Sequence, residues 1–287
     1  MATISALILT YNEESNIGAC IGSCRNVVDK IIVMDNNSND RTKEIAESLG
    51  ALVDQSDLTY KKRFAKGISH PYVDTDWIIY MDADERLTPE SSKELKKMCD
   101  RYLDSDITGI VCRYVNCFLG KEIRHGDSVG RKLRVFKKGC AAFETKELDE
   151  HVILLRGREA YMKTDILHLD FRGLEHWINK HNGYAKRTAK EHLDGLEKEL
   201  PMDGLAKVSR IRRNIKNKIY YKLPMGMRAH LLYIYRYYFR LGFLDGNEGK
   251  ILIFLHAYWY RFLVDSYICE YQKEAQAKDK KNNGETG

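Results

Sequence analysis

Five apolar residues, Trp77-Ile78-Ile79-Tyr80-Met81, run directly into Asp82-Ala83-Asp84-Glu85, and Thr88-Pro89 follows shortly after. An unbroken apolar run rich in β-branched and aromatic residues reads as a strand buried on both faces, as in a parallel sheet covered by helices. Thr88 is a good N-cap. Pro89 suits the first helical position, where its missing N–H would have no partner anyway. The acids therefore sit at the carboxyl end of a central strand, where open α/β sheets take their ligands. Carboxylates held that close repel one another unless a cation lies among them. The spacing Asp82-x-Asp84 suits a hard divalent ion with oxygen ligands. A solvated acidic turn is the other reading of the same residues.

The rest of the amino-terminal half repeats this grammar. Residues 4–9 form a first apolar strand ending in Thr10-Tyr11-Asn12-Glu13-Glu14, and Ile17, Cys20, Ile21 and Cys24 then recur at helical spacing. Residues 30–34 form a second strand, closing in Asp35-Asn36-Asn37-Ser38-Asn39-Asp40 ahead of a helix carrying Ile45, Ala46 and Leu49. A short third strand covers residues 50–53, and residues 60–69 form a basic helix that leads to the strand at Trp77. Strands alternating with helices predict an α/β fold with a mostly parallel, Rossmann-like sheet. Three polar clusters at successive strand ends can then meet in one crevice, although each taken alone is also an ordinary helix cap.

Composition narrows the class. At 287 residues, 44% hydrophobic and 31% charged, the chain is globular and long enough for one large or two modest domains. A net charge of +6 is modest, so the placement of charge matters more than the total. No G-x-G-x-x-G follows the first strand and no G-x-x-x-x-G-K-[ST] is present, which argues against a dinucleotide dehydrogenase and a P-loop hydrolase. Seven cysteines contain no C-x-x-C pair, and Cys20 and Cys24 share a helical face with Ile17 and Ile21. Core packing and reduced thiols in a cytosol fit that pattern. The amino terminus lacks a basic n-region, so no signal peptide is expected.

Beyond residue 105 the organisation changes. Residues 107–118 read as a long strand, Leu119-Gly120-Lys121 as a turn, and Lys132-Leu133-Arg134-Val135-Phe136 as a short strand with basic residues on alternate positions. Arg131, Lys132 and Arg134 suit either an anionic ligand or a solvated face. A second acidic cluster follows at Glu144, Glu147, Asp149, Glu150 and His151. Leu174, Trp177, Ile178, His181, Ala185 and Thr188 mark one face of a long amphipathic helix. Residues 207–222 are strongly basic, and two aromatic, apolar runs follow after Pro224. Basic residues beside Tyr and Trp suit a helical hairpin at an anionic membrane interface, or one packed on a neighbouring domain. The expected division is a catalytic domain at 1–200, a basic and aromatic helical region at 201–272, and a disordered tail at 273–287.

The combination of Ile8-Leu9-Thr10-Tyr11-Asn12-Glu13, Val33-Met34-Asp35-Asn36-Asn37-Ser38-Asn39-Asp40-Arg41-Thr42 and Asp82-Ala83-Asp84-Glu85 resembles family 2 glycosyltransferases of the GT-A fold. The helix around residues 179–184 and Phe239-Arg240-Leu241-Gly242-Phe243-Leu244-Asp245-Gly246 are similar to the branch that includes lipopolysaccharide-core glucosyltransferases. The resemblance implies a nucleotide-sugar pocket lined by Thr10, Tyr11, Asn12 and Glu13, with Asp35 at the base and Ser38 beside it. It implies that Asp82 faces ribose and metal, that Ala83 lies between the acids, and that Asp84 binds a Mn²⁺ or Mg²⁺ ion bridging the diphosphate. Arg63 matches a basic position that assists the phosphates. Glu150, or else Asp149, stands where such enzymes keep their catalytic base. His168 is either a metal or phosphate neighbour or a structural histidine.

Those roles imply an inverting, metal-dependent transfer from a nucleotide sugar, a UDP-sugar, to a bacterial surface glycan or lipid-linked glycan acceptor. The setting would be cytoplasmic, with a peripheral place on the inner membrane as one reading. No nucleic-acid partner is expected from the basic stretch, which carries no recognised binding motif. The rivals are a sugar nucleotidyltransferase, which lacks support in a glycine- and arginine-rich first loop, and a membrane-bound scaffold that keeps the fold without catalysis.

Overall fold

The computed structural model describes residues 1–126, 128–143, 152–170, 172–194 and 223–284. The chain divides into two compact units, one of Met1–Cys117 with Ser128–Asp170 and one of Phe118–Asp127 with Phe171–Gly287. In chain order the elements up to the end of the first unit are β1 (Ile4–Thr10), α1 (Ile17–Cys24), β2 (Lys30–Asp35), α2 (Thr42–Ser48), β3 (Leu52–Gln55), α3 (Tyr60–Ile68), β4 (Trp77–Asp82), β5 (Glu85–Leu87), α4 (Pro89–Arg101), β6 (Ile107–Phe118), β7 (Lys121–Ile123), β8 (Val129–Lys137), β9 (Ala141–Phe143), β10 (Val152–Leu154) and β11 (Arg158–His168).

Within the first unit the main sheet runs β3-β2-β1-β4-β8-β6-β11-β5. The first four strands are parallel, β8 enters antiparallel between β4 and β6, and β5 lies antiparallel on β11. The β3-β2-β1-β4 half is the doubly wound arrangement expected from the alternating pattern. All seven residues of β1 are buried. Ile4, Leu7 and Ile8 are among the fully buried side chains, each contributing roughly 1.5–3 kcal/mol relative to exposure.

One face of the sheet packs Ile17, Cys20, Ile21 and Cys24 of α1 with Leu95, Met98 and Cys99 of α4. The other face receives Phe64 of α3 against Leu7, Ile78 and Tyr80. Gly67 allows α3 to approach that closely, because a Cβ there would lie 2.4 Å from Leu7 Cδ1. Thr88 caps α4 as its sequence predicts: its side chain accepts from Ser91 N at 3.1 Å, and the Ser91 hydroxyl accepts from Thr88 N at 2.7 Å.

The second unit contains β7, α5 (Leu174–Leu193), α6 (Met227–Ile234), α7 (Gly246–Ile253) and α8 (Tyr260–Gly284). Trp177 packs with Phe118, Ile123 and Leu252, while Ala185 and Ala189 receive Val264 and Ile268. A buried ion pair joins Arg228 Nε to Asp265 Oδ2 at 2.8 Å. π-Helical turns at Tyr235–Phe239 and Phe254–Trp259 interrupt the two aromatic runs. The stretch ending in Asp245-Gly246 makes a tight corner: the Asp245 carboxylate accepts from His125 N at 2.7 Å, and Gly246 takes φ +70°. The polar sequence beyond Lys273 continues α8 to Gly284. Among the described residues no helix is long and apolar enough to cross a membrane.

Candidate functional site

Parallel pairing sets three strand ends level: Thr10 pairs with Asp35, and Leu9 pairs with Asp82. The loops beyond β1 and β2 hold each other through polar side chains. Asn12 N donates to Ser38 Oγ at 2.8 Å, Asn39 N donates to Asn12 Oδ1 at 3.0 Å, and Glu13 N donates to Thr42 Oγ1 at 2.8 Å. Asn12 and Asn37 adopt φ of 52° and 55°, the left-handed region that asparagine tolerates better than most residues. Asp35, fully buried, accepts from Ser38 N at 2.9 Å, from Gln55 Nε2 at 2.8 Å and from the Ser38 hydroxyl. Tyr11 projects outward, 53% exposed, while Thr10 is buried with its hydroxyl oxygen unpartnered.

At the end of β4 the acids divide. Arg134, on β8 and 3% exposed, donates from Nη2 to Asp82 Oδ2 at 2.8 Å and to Glu85 Oε1 at 2.6 Å. Its guanidinium lies 4.2 Å from the Tyr80 ring centroid and 5.3 Å from that of Tyr114. Asp82 Oδ1 accepts from the Tyr80 hydroxyl at 2.9 Å and from that of Tyr60. Burial alone would raise the Asp82 pKa, but Arg134 and the Tyr60 hydroxyl hold it below the usual carboxylate range. Burial pushes Glu85 up to about 7 against the pull of Arg134, and the neighbouring Asp82 charge adds to the rise. One guanidinium serves two carboxylates, so their affinities for a proton move apart.

Asp84 lies on the other side of this corner. The antiparallel pairing of β5 on β11 sets Glu85 opposite His168, and Leu169 N donates to Asp84 O at 2.8 Å. His168 Nε2 stands 3.5 Å from Asp84 Oδ2, while its Nδ1 meets Asn116 Oδ1 at 2.9 Å. Burial opposes the imidazolium, yet the Asp84 acceptor with the Glu85 and Asp170 charges raises the His168 pKa above its ordinary value. Ligand atoms of Asp84, His168 and Asp170 all lie within 4.8 Å of one another. Asp84 Oδ1 is buried without a hydrogen-bond partner. Two carboxylates and an imidazole, with one Asp84 oxygen left without a hydrogen bond, form a donor set that fits a divalent cation, and Asn116 supplies the outer contact that would orient the histidine as a ligand.

The sequence model described as glycosyl transferase family 2 matches residues 5–151, just over half of the 287-residue chain. The chain belongs to this family of glycosyltransferase enzymes. A glycosyltransferase of Rickettsia typhi is 30% identical over 207 residues, covering 67% of this chain and 68% of that protein. One from Rickettsia bellii is 43% identical over 108 residues, covering 35% of each. Among solved structures, glucosyl-3-phosphoglycerate synthase from Mycobacterium tuberculosis, in complex with Mn²⁺, UDP and glucosyl-3-phosphoglycerate, aligns with a TM-score of 0.34 at 21% identity. The match covers 39% of this chain and 44% of that one, less than half of its length.

In this family 2 glycosyltransferase, Thr10, Tyr11, Asn12, Glu13, Asp35 and Ser38 lie at the ends of β1 and β2 as the sequence predicts, and Asp82, Ala83 and Asp84 at the end of β4. Arg63 is buried on α3, where Nη1 donates to the carbonyl oxygens of Thr10 at 2.8 Å and Met34 at 3.3 Å, tying β1 to β2. Asp149 and Glu150 lie outside the described residues, between β9 and β10. Phe143, which ends β9, packs on Tyr60 and Tyr80 at ring separations of 5.7 and 6.1 Å. Those are the two tyrosines whose hydroxyls meet Asp82.

Asp170 escapes the sequence reading of the site, and Arg134 enters it only as a residue for an anionic ligand or a solvated face, not as the partner of Asp82 and Glu85. Asp170 carries a usable signal, since His168-x-Asp170 repeats the alternate spacing of Asp82-x-Asp84. Arg134 carries almost none. It stands among basic residues that look solvated until β8 is known to lie inside the sheet.

Proposed function

We propose that the chain is an inverting, metal-dependent glycosyltransferase that moves a sugar from a UDP-sugar donor to a bacterial surface glycan: lipopolysaccharide core, capsule or a lipid-linked saccharide. The observation that carries the reading is the meeting of Asp84, His168 and Asp170, with one Asp84 carboxylate oxygen unpartnered, at a strand end level with the polar ends of β1 and β2. Thr10, Tyr11, Asn12, Glu13, Asp35 and Ser38 would receive the nucleoside, and Arg63 would add positive charge near the phosphates. Asp82, oriented by Arg134 and two tyrosine hydroxyls, would face the ribose, leaving Asp84 as the principal metal-binding acid, with His168 beside it. A bound Mn²⁺ or Mg²⁺ would neutralise the diphosphate as charge develops on the leaving group.

The protein's own part is placement and proton transfer. The acceptor oxygen attacks the anomeric carbon as its proton passes to a carboxylate, Glu150 with Asp149 as the alternative, and the C–O bond to the nucleoside diphosphate breaks. Metal-binding and base carboxylates belong to separate acidic clusters, as an in-line displacement requires. Residues 1–200 are assigned to donor binding and chemistry, residues 201–272 to a membrane-facing role, and residues 273–287 to a tail. The protein would work at the cytoplasmic face of the inner membrane.

Asp84→Asn tests the centre of this reading. UDP-glucose turnover with Mn²⁺ should fall roughly a thousandfold, the loss expected when several kcal/mol of charge stabilisation disappear. The melting temperature of the metal-free protein should stay near wild type, and the rise in melting temperature on adding Mn²⁺ should vanish. Undiminished turnover would remove the metal assignment. Glu150→Gln should bind UDP-glucose normally and transfer poorly; an active variant moves the base to Asp149.

A further inference from the structure

The second unit exposes a set of aromatic and apolar side chains that its own core does not use. Met227, Leu231, Tyr235 and Tyr238 recur at three- to four-residue spacing along α6 and the π-helical turn, all exposed, and Phe239 beside them is 75% exposed. The chain then reverses at Leu241, whose φ is 57°, and presents Phe243 and Leu244 outward as well. A row of ring contacts adjoins these residues, and Tyr238 meets it at Tyr237, 5.1 Å away. Phe243 meets Tyr237 at 6.2 Å, Tyr237 stacks on Tyr233 at 5.5 Å, and Tyr233 meets Phe254 at 6.1 Å. The line continues from Phe254 to Tyr258 at 5.4 Å and from Tyr258 to Phe262 at 6.1 Å, with both phenylalanines exposed. An apolar surface of this extent on one unit marks an interaction site rather than scattered surface residues.

Its charge selects the occupant. Residues 223–244 contain Arg228, Arg236 and Arg240 and no Asp or Glu, and Arg228 is buried against Asp265. The first acid after them, Asp245, is buried and bound to His125. Glu248 pairs with Lys121 at 3.3 Å. The face therefore meets its surroundings with exposed aromatics, Arg240 and Lys250, and no exposed carboxylate of its own up to Asp245. Tyrosines are suited to a boundary that is apolar below and wet above, and arginines beside them suit a negative surface.

Resting on the membrane-facing reading of residues 201–272, we propose that the surface formed by Met227, Leu231, Tyr235, Tyr238, Phe239 and Leu244 is where the protein enters the interface of an anionic lipid bilayer. The rings insert at headgroup depth while Arg240 and Lys250 remain among the lipid phosphates. No helix needs to span the bilayer for this attachment.

The experiment is flotation of the full-length protein with phosphatidylcholine vesicles, with and without phosphatidylglycerol. Wild type should float with the anionic vesicles, less so at high salt, and hardly at all with the neutral ones. Tyr238→Ser with Phe239→Ser and Leu244→Ser should weaken flotation by about tenfold or more, with UDP-glucose turnover in solution and melting temperature unchanged. Leu155→Ser, an equally exposed leucine of the first unit, should float like wild type. If wild type floats and the triple variant floats equally, this surface is not the contact, although membrane binding by residues 201–272 stands. If wild type floats with neither vesicle, membrane binding itself fails, while turnover still reports on the transferase reading. If the triple variant instead abolishes a concentration-dependent dimer, the face belongs to a second copy and the proposal is overturned.

Discussion

Asp82 and Asp84 are two residues apart and live under opposite conditions. On the Arg134 side, Asp82 accepts from a guanidinium and two tyrosine hydroxyls. On the His168 side, Asp84 keeps a buried oxygen with nothing to bond. The same residue type at the same strand end is thus held in two ways: one carboxylate is oriented by three partners that hold the corner together, and the other keeps an oxygen without a partner. The spacing in sequence says only that both acids are present; the strands that arrive beside them decide which one is available.

This contrast can be broken first at Arg134. Arg134→Met leaves Asp82 and Glu85 buried without their shared cation, and losses of about 3–5 kcal/mol are typical when one partner of a buried pair is removed. Urea unfolding should show it as a large drop in midpoint; a wild-type midpoint would mean that the arginine side is not structural. A second cut falls on the other side. His168→Gln and Asp170→Asn should each weaken Mn²⁺ binding by about tenfold or more, read by calorimetry, with little change in the urea midpoint. Asp82→Asn should show the reverse balance, costing more stability and less metal affinity than Asp84→Asn. The smallest effect belongs to the neighbouring strand end, where Ser38→Ala removes a hydroxyl that bonds both Asp35 and Asn12 N. A loss of about 1 kcal/mol in stability and a raised KM for the donor are expected; an unchanged KM would separate that loop from the donor site.

The half of the fold from β1 to β4 is legible because each strand is an apolar run that stops at a polar cluster, and the helices between them have clear apolar stripes. The other half is not. β11 reads Arg-Glu-Ala-Tyr-Met-Lys-Thr-Asp-Ile-Leu-His, and its charged residues hide a strand that pairs with both β6 and β5. Its lysine and glutamate lie toward solvent, while Asp165 is tied to Arg113 by an ion pair of 2.5 Å, so polarity there reflects local pairing rather than a loop. β5, three residues long, is too short to announce itself, yet it delivers Glu85 to His168. The pairing of Arg134 with Asp82 and Glu85 is hidden for a related reason, since a buried arginine and a solvated one look identical until both partners are located. The candidate site was therefore readable in its Asp84 and strand-end residues and unreadable in the groups that divide labour among the acids.

The position of β8 has a consequence for synthesis. β4 leaves the ribosome with β1 ready on one side, but its other edge must wait for a strand that ends at Lys137. At ordinary translation speeds, that leaves Trp77-Ile78-Ile79-Tyr80-Met81 as an unpaired apolar edge for roughly 3 to 10 s. Asp82 and Glu85 have no Arg134 during that interval, and their negative charge disfavours parallel pairing of this edge with the same strand of a neighbouring nascent chain.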